Sequence, residues 1–400
     1  MVEGSEPGEW EAELTAPDAR AIAAEVIGRV LRSGAYSNVL VQKASSESSA
    51  HDRARVKALV FGVLRRLETV DDAIATGSRR DLGKFDADVL DRLRVSTFEL
   101  LYGELPVPIA VSAGVDLVRA GKPKAAGLAN AVLRRVAELE RPVADELVLP
   151  GWLVADLTRE WGEEAARAFA RSSATEPERI VRLRAGGPPG FAGIEGAIQA
   201  EPGPLPEDVV VQDAASIATG NAVNAEPGMR ILDMAAAPGG KTMHLLDRVG
   251  AEGVVVAVDR HQRRVFDGAR RVPGARWVVG DGTDPPFPQR SFDRVLLDAP
   301  CSGLGTLRRR PEIRFRVSEQ DVSSLAALQR RLLEAAIDLL ASGGRLVYSV
   351  CTVTPQETIE VVKDFDLKPA EIPGVIWGGG RLLAPHLTST DGMFVAVHQT

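Results

Sequence analysis

From Val209 to the end of the chain, short apolar runs alternate with helix-like segments. The runs are Arg230–Met234, Gly253–Val258, Ala275–Val279, Arg294–Leu297, Arg345–Ser349 and Met393–Val397. Strands that alternate with helices imply a mainly parallel sheet with helices on both faces. This part of the chain is therefore expected to be an α/β domain of the Rossmann-like kind. Such sheets bind ligands at the carboxyl ends of their strands. The residues that follow each apolar run are thus the first candidates for function.

The preceding part has a different texture. From about Pro17 to Leu139 the pattern is helical, with Ala21, Ile22, Val26, Ile27, Val30 and Leu31 spaced as one buried face. Arg53–Leu67, Ala87–Leu105, Ala110–Val118 and Ala125–Glu140 continue the pattern, with Pro106 and Pro108 as breaks. Trp152–Arg171 reads as a further helix pair and Arg179–Arg184 as a short strand, followed by the Gly/Pro-rich stretches at 186–190 and 201–208. The expected organisation is an acidic, loose tail over 1–16, an all-α domain over 17–142, a small connecting subdomain over 143–208 and the α/β domain over 209–400.

No run of about 18 apolar residues exists to span a membrane, and the acidic start lacks the apolar stretch of a signal peptide. A cytoplasmic protein is expected, and nothing in the pattern demands a dimer, so a monomer is too. The net charge of −7 argues against a nucleic-acid binder on average. Arginines are nevertheless clustered, at Arg65-Arg66, Arg134-Arg135, Arg263-Arg264, Arg270-Arg271, Arg308-Arg309-Arg310 and Arg330-Arg331. Such pairs are ordinarily solvated helix faces, but they leave room for a local basic groove. Cys301 and Cys351 are the only cysteines. Two thiols without nearby histidines make no four-ligand metal site, so none is expected. A single structural disulfide is improbable in a long intracellular chain, which leaves chemistry as the reason for the pair.

Three motifs sit at the expected strand ends. The first run leads into Ala235, Ala236, Ala237, Pro238, Gly239, Gly240 and Lys241, a turn of small residues ahead of a helix over Thr242–Arg248. Small residues let backbone amides approach a ligand, and a helix start favours an anionic group. Asp259 follows the second run, placed to accept hydrogen bonds from ribose hydroxyls. Asp281 follows the third, placed to receive an adenine amino group. Helix or turn capping is the plainer alternative for both aspartates. The fourth run leads to Asp298-Ala299-Pro300-Cys301 and the fifth to Cys351, with Glu357 shortly after. Cys351 alone would more often be a packed thiol, whereas Cys301 lies outside any apolar run, where an inert buried cysteine is usually found. Two arriving at one sheet edge beside a cofactor loop point to catalysis. A thiolate that adds to carbon 6 of a cytosine makes carbon 5 nucleophilic, a hydrogen-bonding acid stabilises the charge that develops, and a second thiol can help the adduct to break.

These motifs, in order, resemble the RNA (cytosine-5) methyltransferases of the Sun/Fmu (RsmB) group. The likeness extends from Asp233-Met-Ala-Ala-Ala-Pro-Gly-Gly-Lys-Thr242 through the Pro-Cys segment to Tyr348-Ser-Val-Cys-Thr352 and Asp391-Gly-Met-Phe394. The helical half resembles the NusB-like RNA-binding domain through the stretches around Arg53–Arg66 and Leu128–Val136, Asn130 included. The resemblance implies S-adenosyl-L-methionine as cofactor, held by Ala235 to Lys241, Asp259, Asp281 and Asp298. It implies Cys351 as nucleophile, Cys301 as the thiol that assists release, and Asp298 and Lys241 as the groups that orient and polarise the base. RNA is the implied partner, with 16S ribosomal RNA ahead of transfer RNA.

The chain departs from that pattern at Val350, where the group usually has Thr, and at Thr358, where Asn is common. Other readings are a non-catalytic RNA-binding assembly factor, a small-molecule methyltransferase and a DNA methyltransferase that attacks with Cys301. The two retained thiols, Asp298 and the undamaged loop weigh against the first, the helical domain and the paired thiols weigh against the second, and exchange of each cysteine separately discriminates the third.

Overall fold

In a computed structural model of the full chain, residues 18–44, 49–142 and 146–400 are described. The expected acidic tail over 1–16 and the expected start of the connecting segment at 143 lie outside the described residues. The chain divides into two compact units. One ends at Val148 and includes Arg309–Glu312; the other comprises Leu149–Arg308 and Ile313–Thr400.

The first unit is helical throughout its described residues: α1 (Ala19–Ser33), α2 (Ser37–Ala44), α3 (Ala50–Arg65), α4 (Leu67–Ser78), α5 (Ala87–Tyr102), α6 (Val107–Gly121) and α7 (Ala126–Val136). The apolar stripe anticipated on α1 is the buried one, with Ile27 and Val30 against Val56 and Val60 of α3. The expected helix over Arg53–Leu67 is α3, which starts three residues earlier and ends at Arg65, so that Leu67 opens α4. Pro106 sits at the N-cap of α6 and Pro108 in its first turn, where a missing N–H costs nothing. Partly buried ion pairs run between the helices. Arg94 grips Asp71 with two bonds of 2.7 and 2.8 Å, and Arg20 reaches Glu99 at 2.6 Å.

The second unit opens with α8 (Gly151–Trp161) and α9 (Glu163–Ser173), then a three-stranded antiparallel sheet of β1 (Ile180–Leu183), β2 (Ala197–Gln199) and β3 (Val209–Val211). A helix that the sequence pattern did not mark follows, α10 (Ala214–Ala222). Its residues are mostly alanine, glycine and threonine, so no apolar stripe stands out, yet nearly all are buried. The main sheet contains β4 (Arg230–Met234), β5 (Val254–Asp259), β6 (Arg276–Val279), β7 (Phe292–Asp298) and β8 (Leu340–Val350), all parallel. Past β8 the antiparallel β12 (Met393–Gln399) pairs with it, then β11 (Gly380–Leu383) and β10 (Val375–Trp377), while β9 (Lys368–Pro369) pairs with β12. The strand order β10-β11-β12-β8-β7-β4-β5-β6 puts the first strand in the middle. The chain winds one way through β5 and β6, then returns to wind the other way through β7 and β8. Helices α11 (Gly240–Val249), α12 (Gln262–Arg271), α13 (Glu319–Asp338), α14 (Ile359–Val362) and α15 (Pro385–Thr388) complete the unit. A reciprocal cap fixes the start of α13, with Ser318 and Asp321 each bonding the other's backbone N–H. Among the described residues no helix is long and apolar enough to cross a membrane.

Candidate active site

The turn between β4 and α11 has the backbone its composition suggests. Ala235 leaves the strand with φ of 57°, and Gly239 takes φ of 99° at the N-cap of α11. A side chain at Gly239 would be strained by that φ, and its Cβ would stand 3.1 Å from Val272 and 3.2 Å from the Trp277 ring. A left-handed alanine costs on the order of 1 kcal/mol and is retained mostly where function needs the turn.

Beside the turn lies a cavity of about 220 Å³, lined by Ala235, Asp259, Asp281 and residues of α13. Three of the anticipated residues therefore share one cavity. Asp259 is almost fully buried. Its Oδ1 accepts a bond of 2.9 Å from the His261 N–H, and its Oδ2 makes no hydrogen bond, though the Arg264 guanidinium stands 3.3 Å away. Asp281 is exposed, and its Oδ1 accepts from the N–H and the hydroxyl of Thr283, each at 2.9 Å. Those bonds, the backbone one first, hold the Asp281 carboxyl below its usual range. The capping role weighed against a ligand role at Asp281 is thus real, and the residue faces the cavity as well. Leu325, Leu328 and Leu332 of α13 close the apolar wall. The sequence could have pointed to them only as one helical stripe, with no sign of what that stripe faced.

Lys241 and Asp298 fall on the other side of the turn, outside that cavity's lining. Lys241 donates to Asp298 Oδ2 at 2.7 Å, and Ser349 Oγ donates to Asp298 Oδ1 at 2.8 Å. Burial alone would disfavour the Lys241 charge, but the charge and hydrogen bond of Asp298 outweigh it and raise the ammonium above its usual range. Lys241 is therefore held as a cation.

The ends of β7 and β8 bring the two cysteines to a separation of 3.4 Å between sulfurs, both partly exposed and neither in a disulfide. The hydrogen bond to Cys351 and then burial push the Cys301 thiol well above its usual range, with the charges of Cys351, Glu357 and Asp298 adding to the effect.

Glu357, named in the sequence without a role, fastens the two cysteine loops together. It is fully buried. Its Oε1 accepts from the Ser302 N–H at 2.8 Å and Gln329 Nε2 at 3.0 Å, and its Oε2 from the hydroxyls of Thr352 at 3.1 Å and Thr354 at 2.9 Å. With the Thr352 proton given to Glu357, Ser302 Oγ must donate its own to Thr352, at 2.7 Å. The Gly305 N–H bonds the Cys351 carbonyl at 3.0 Å, and the Gly392 N–H bonds the Gly305 carbonyl at 2.7 Å. A Cβ on Gly305 would meet that Gly392 oxygen at 2.3 Å, so only glycine fits.

Asp233, within β4, was not among the anticipated site residues. It is fully buried, accepts one bond of 2.6 Å from Thr242 Oγ1, and its Oδ1 has no partner. Burial above all raises it from 3.8 to about 7, against the help of Thr242. At about 1.4 kcal/mol per unit, that shift amounts to about 4 kcal/mol. The folded chain retains a proton that the unfolded chain loses above about pH 4, so this group makes stability fall as pH rises toward about 7. Asp233→Asn removes the titration. Between about pH 5 and pH 8 its unfolding free energy should rise by about 2–3 kcal/mol relative to the unsubstituted protein, the part of that shift which falls in this window. Parallel profiles from chemical denaturation would show that Asp233 ionises normally.

Comparisons with known proteins give this geometry its setting. Residues 221–399 match the model of 16S rRNA methyltransferase RsmB/F, and residues 17–138 match the NusB family. Ribosomal RNA small subunit methyltransferase B of Xanthomonas campestris is 34% identical, across 88% of this chain and 89% of that protein. The chain belongs to the RsmB/F family of 16S rRNA methyltransferases. The Thermus thermophilus member of the family is 38% identical across 86% of each chain. Among solved structures, PH0851 superposes with a TM-score of 0.75 at 22% identity, over 96% of this chain and 99% of that one. NSun6 from Pyrococcus horikoshii, solved with SFG, gives 0.53 at 20% identity over 62% and 97%. The expected α/β methyltransferase fold and NusB-like helical domain are both present. Among the described residues no group of His, Cys, Asp and Glu is arranged to hold a metal ion.

Proposed function

We propose that this RsmB/F family member methylates carbon 5 of a cytosine in small-subunit ribosomal RNA, with S-adenosyl-L-methionine as donor and Cys351 as covalent nucleophile. The approach of the two sulfurs to 3.4 Å carries the reading. Methylation of a nucleophilic oxygen or exocyclic nitrogen has no use for two thiols at one strand edge. Carbon 5 of cytosine, unreactive within its ring, has a use for both.

The residues present fit the donor. Its ribose hydroxyls need acceptors, and Asp259 Oδ2 is a buried carboxylate oxygen with no hydrogen bond at the cavity. Its adenine needs an apolar slot, which Leu325, Leu328 and Leu332 would supply. Ala235 to Gly240 would let backbone amides reach the amino-acid end. When bound, S-adenosyl-L-methionine supplies a methyl group made electrophilic by its sulfonium.

On the acceptor side, Cys351 Sγ adds to carbon 6 of the ring and leaves carbon 5 enamine-like. Lys241, fixed by Asp298, would offset the negative charge that moves onto the ring. Once the methyl is on carbon 5, that carbon still bears a hydrogen, which leaves as a proton to a solvent water. Its departure re-forms the carbon 5–carbon 6 double bond as the Cys351 sulfur leaves with its bonding pair. Cys301 assists this last stage, hydrogen-bonded to the departing sulfur. A cytosine in a loop or single strand suits this chemistry, since the ring face must be open.

Small-subunit ribosomal RNA is the proposed target because relatives that span nearly the whole chain are named for it. The test is to incubate the protein and S-adenosyl-L-methionine separately with 16S ribosomal RNA, assembled small subunits and transfer RNA, then digest each to nucleosides for mass spectrometry. New 5-methylcytidine in 16S ribosomal RNA is the expected result. If it appears only in transfer RNA, the target changes and the chemistry stands. A methyl group on any other atom overturns the mechanism.

A further inference from the structure

The doubled arginines differ in what they do. Arg308 is buried against Glu178 at 2.7 Å, Arg330 pairs with Asp364 at 2.6 Å, and Arg135 bonds the Gly77 carbonyl at 3.0 Å. Helix α12 is another case. Its inner face is small and filled, with Val265 and Gly268 buried and Gly268 against the Trp277 ring. Its outer face sets Arg263, Phe266 and Arg270 at spacings of three and four, one stripe of the helix. Phe266 is 59% exposed. Arg263 and Arg271 are exposed and make no ion pair among the described residues, while Arg270 pairs with Asp267. Arg276, also exposed, opens β6 five residues beyond Arg271. On a chain of net charge −7 this is a concentration of cations around an exposed ring.

We propose that the outer face of α12 is an anchor for the RNA substrate, with Arg263, Arg270 and Arg271 on phosphates and Phe266 under an unpaired base. Cations interleaved with an aromatic ring are the usual equipment for single-stranded nucleic acid, where the ring stacks on any base. A solubilising face needs the arginines but has no use for Phe266. At 1.5 Å per residue, Arg263 and Arg270 stand about 10 Å apart along the helix. The helix packs on β5 and β6, three to four strand spacings from β8, or about 15–20 Å from Cys351. The anchor therefore holds nucleotides away from the target base, and its loss should raise KM for RNA and leave kcat.

This rests on the RNA methyltransferase reading above. The experiment compares the full chain with Arg263→Ala/Arg271→Ala, Phe266→Ala and a control of equal charge change, Lys363→Ala/Lys368→Ala, whose lysines are also exposed. Each is measured for RNA affinity across a salt series and for methylation kinetics. The arginine pair should weaken RNA binding about tenfold or more, lower the slope of log affinity against log salt by about two, and keep kcat. Phe266→Ala should weaken binding roughly five- to tenfold with the slope unchanged. Values equal to the unsubstituted protein, or a loss matched by the lysine control, overturn the anchor while methylation itself persists. A Phe266→Ala protein that changes oligomeric state with RNA affinity intact also overturns it, in favour of self-association. If the unsubstituted protein neither binds nor methylates RNA, the functional reading fails first and the anchor with it.

Discussion

Cys351→Ala should abolish turnover, by about 10,000-fold or more, while RNA affinity stays within about twofold. In the proposed mechanism the thiol is not an accessory, and the loss is correspondingly large. Without addition at carbon 6, carbon 5 has no electron pair to offer, and orientation or electrostatic help from Lys241 and Asp298 has nothing to act on. The substitution is conservative for the fold: Cys351 is partly exposed, and its carbonyl, which accepts from the Gly305 N–H, is backbone. Methyl incorporation from a labelled donor and filter binding of the RNA separate the two effects. Appreciable activity in this variant would remove Cys351 from the mechanism.

Cys301→Ala should do something different in kind. Addition and methyl transfer need Cys351 alone, so one round should proceed, with up to about one methyl incorporated per enzyme. Release should then stall. Enzyme and RNA should travel together through denaturing electrophoresis, and multiple turnover should fall by about 100-fold or more. The 3.4 Å contact makes the effect specific, because no other thiol is present to substitute. Trapping by Cys351→Ala instead of Cys301→Ala would reverse the two assignments. Trapping by neither, with both inactive, would favour an RNA-binding role without catalysis.

Much of this site was legible because strand ends converge by rule. Once the apolar runs were read as parallel strands, Lys241, Asp259, Asp281, Asp298, Cys301 and Cys351 had to lie along one edge, whatever the details. The rule does not say which groups touch. The Lys241–Asp298 pair and the separate cavity of Asp259 and Asp281 follow from β4 lying between β5 and β7, a matter of strand order. Asp233 escaped notice because, inside an apolar strand, it looked like part of the run. The role of Glu357 depends on donors from Ser302, Gln329, Thr352 and Thr354, and the first two are distant in the chain and reach it only once the fold forms. In the fold, α10 was missed for lack of apolar periodicity. β10 and β11 were missed because three- and four-residue strands interrupted by glycine carry almost no pattern.

The central position of β4 has a consequence for how such proteins diversify. The polar groups of the proposed donor cavity come from the ends of β4, β5 and β6, its apolar wall from α13, and the two thiols from the ends of β7 and β8. The Lys241–Asp298 contact is where the halves meet. Under the proposed roles, change in the loops that carry the thiols can retune which base is accepted while the turn after β4 and the acids after β5 and β6 are inherited unaltered. A lineage can thus acquire new targets without reinventing its source of methyl groups.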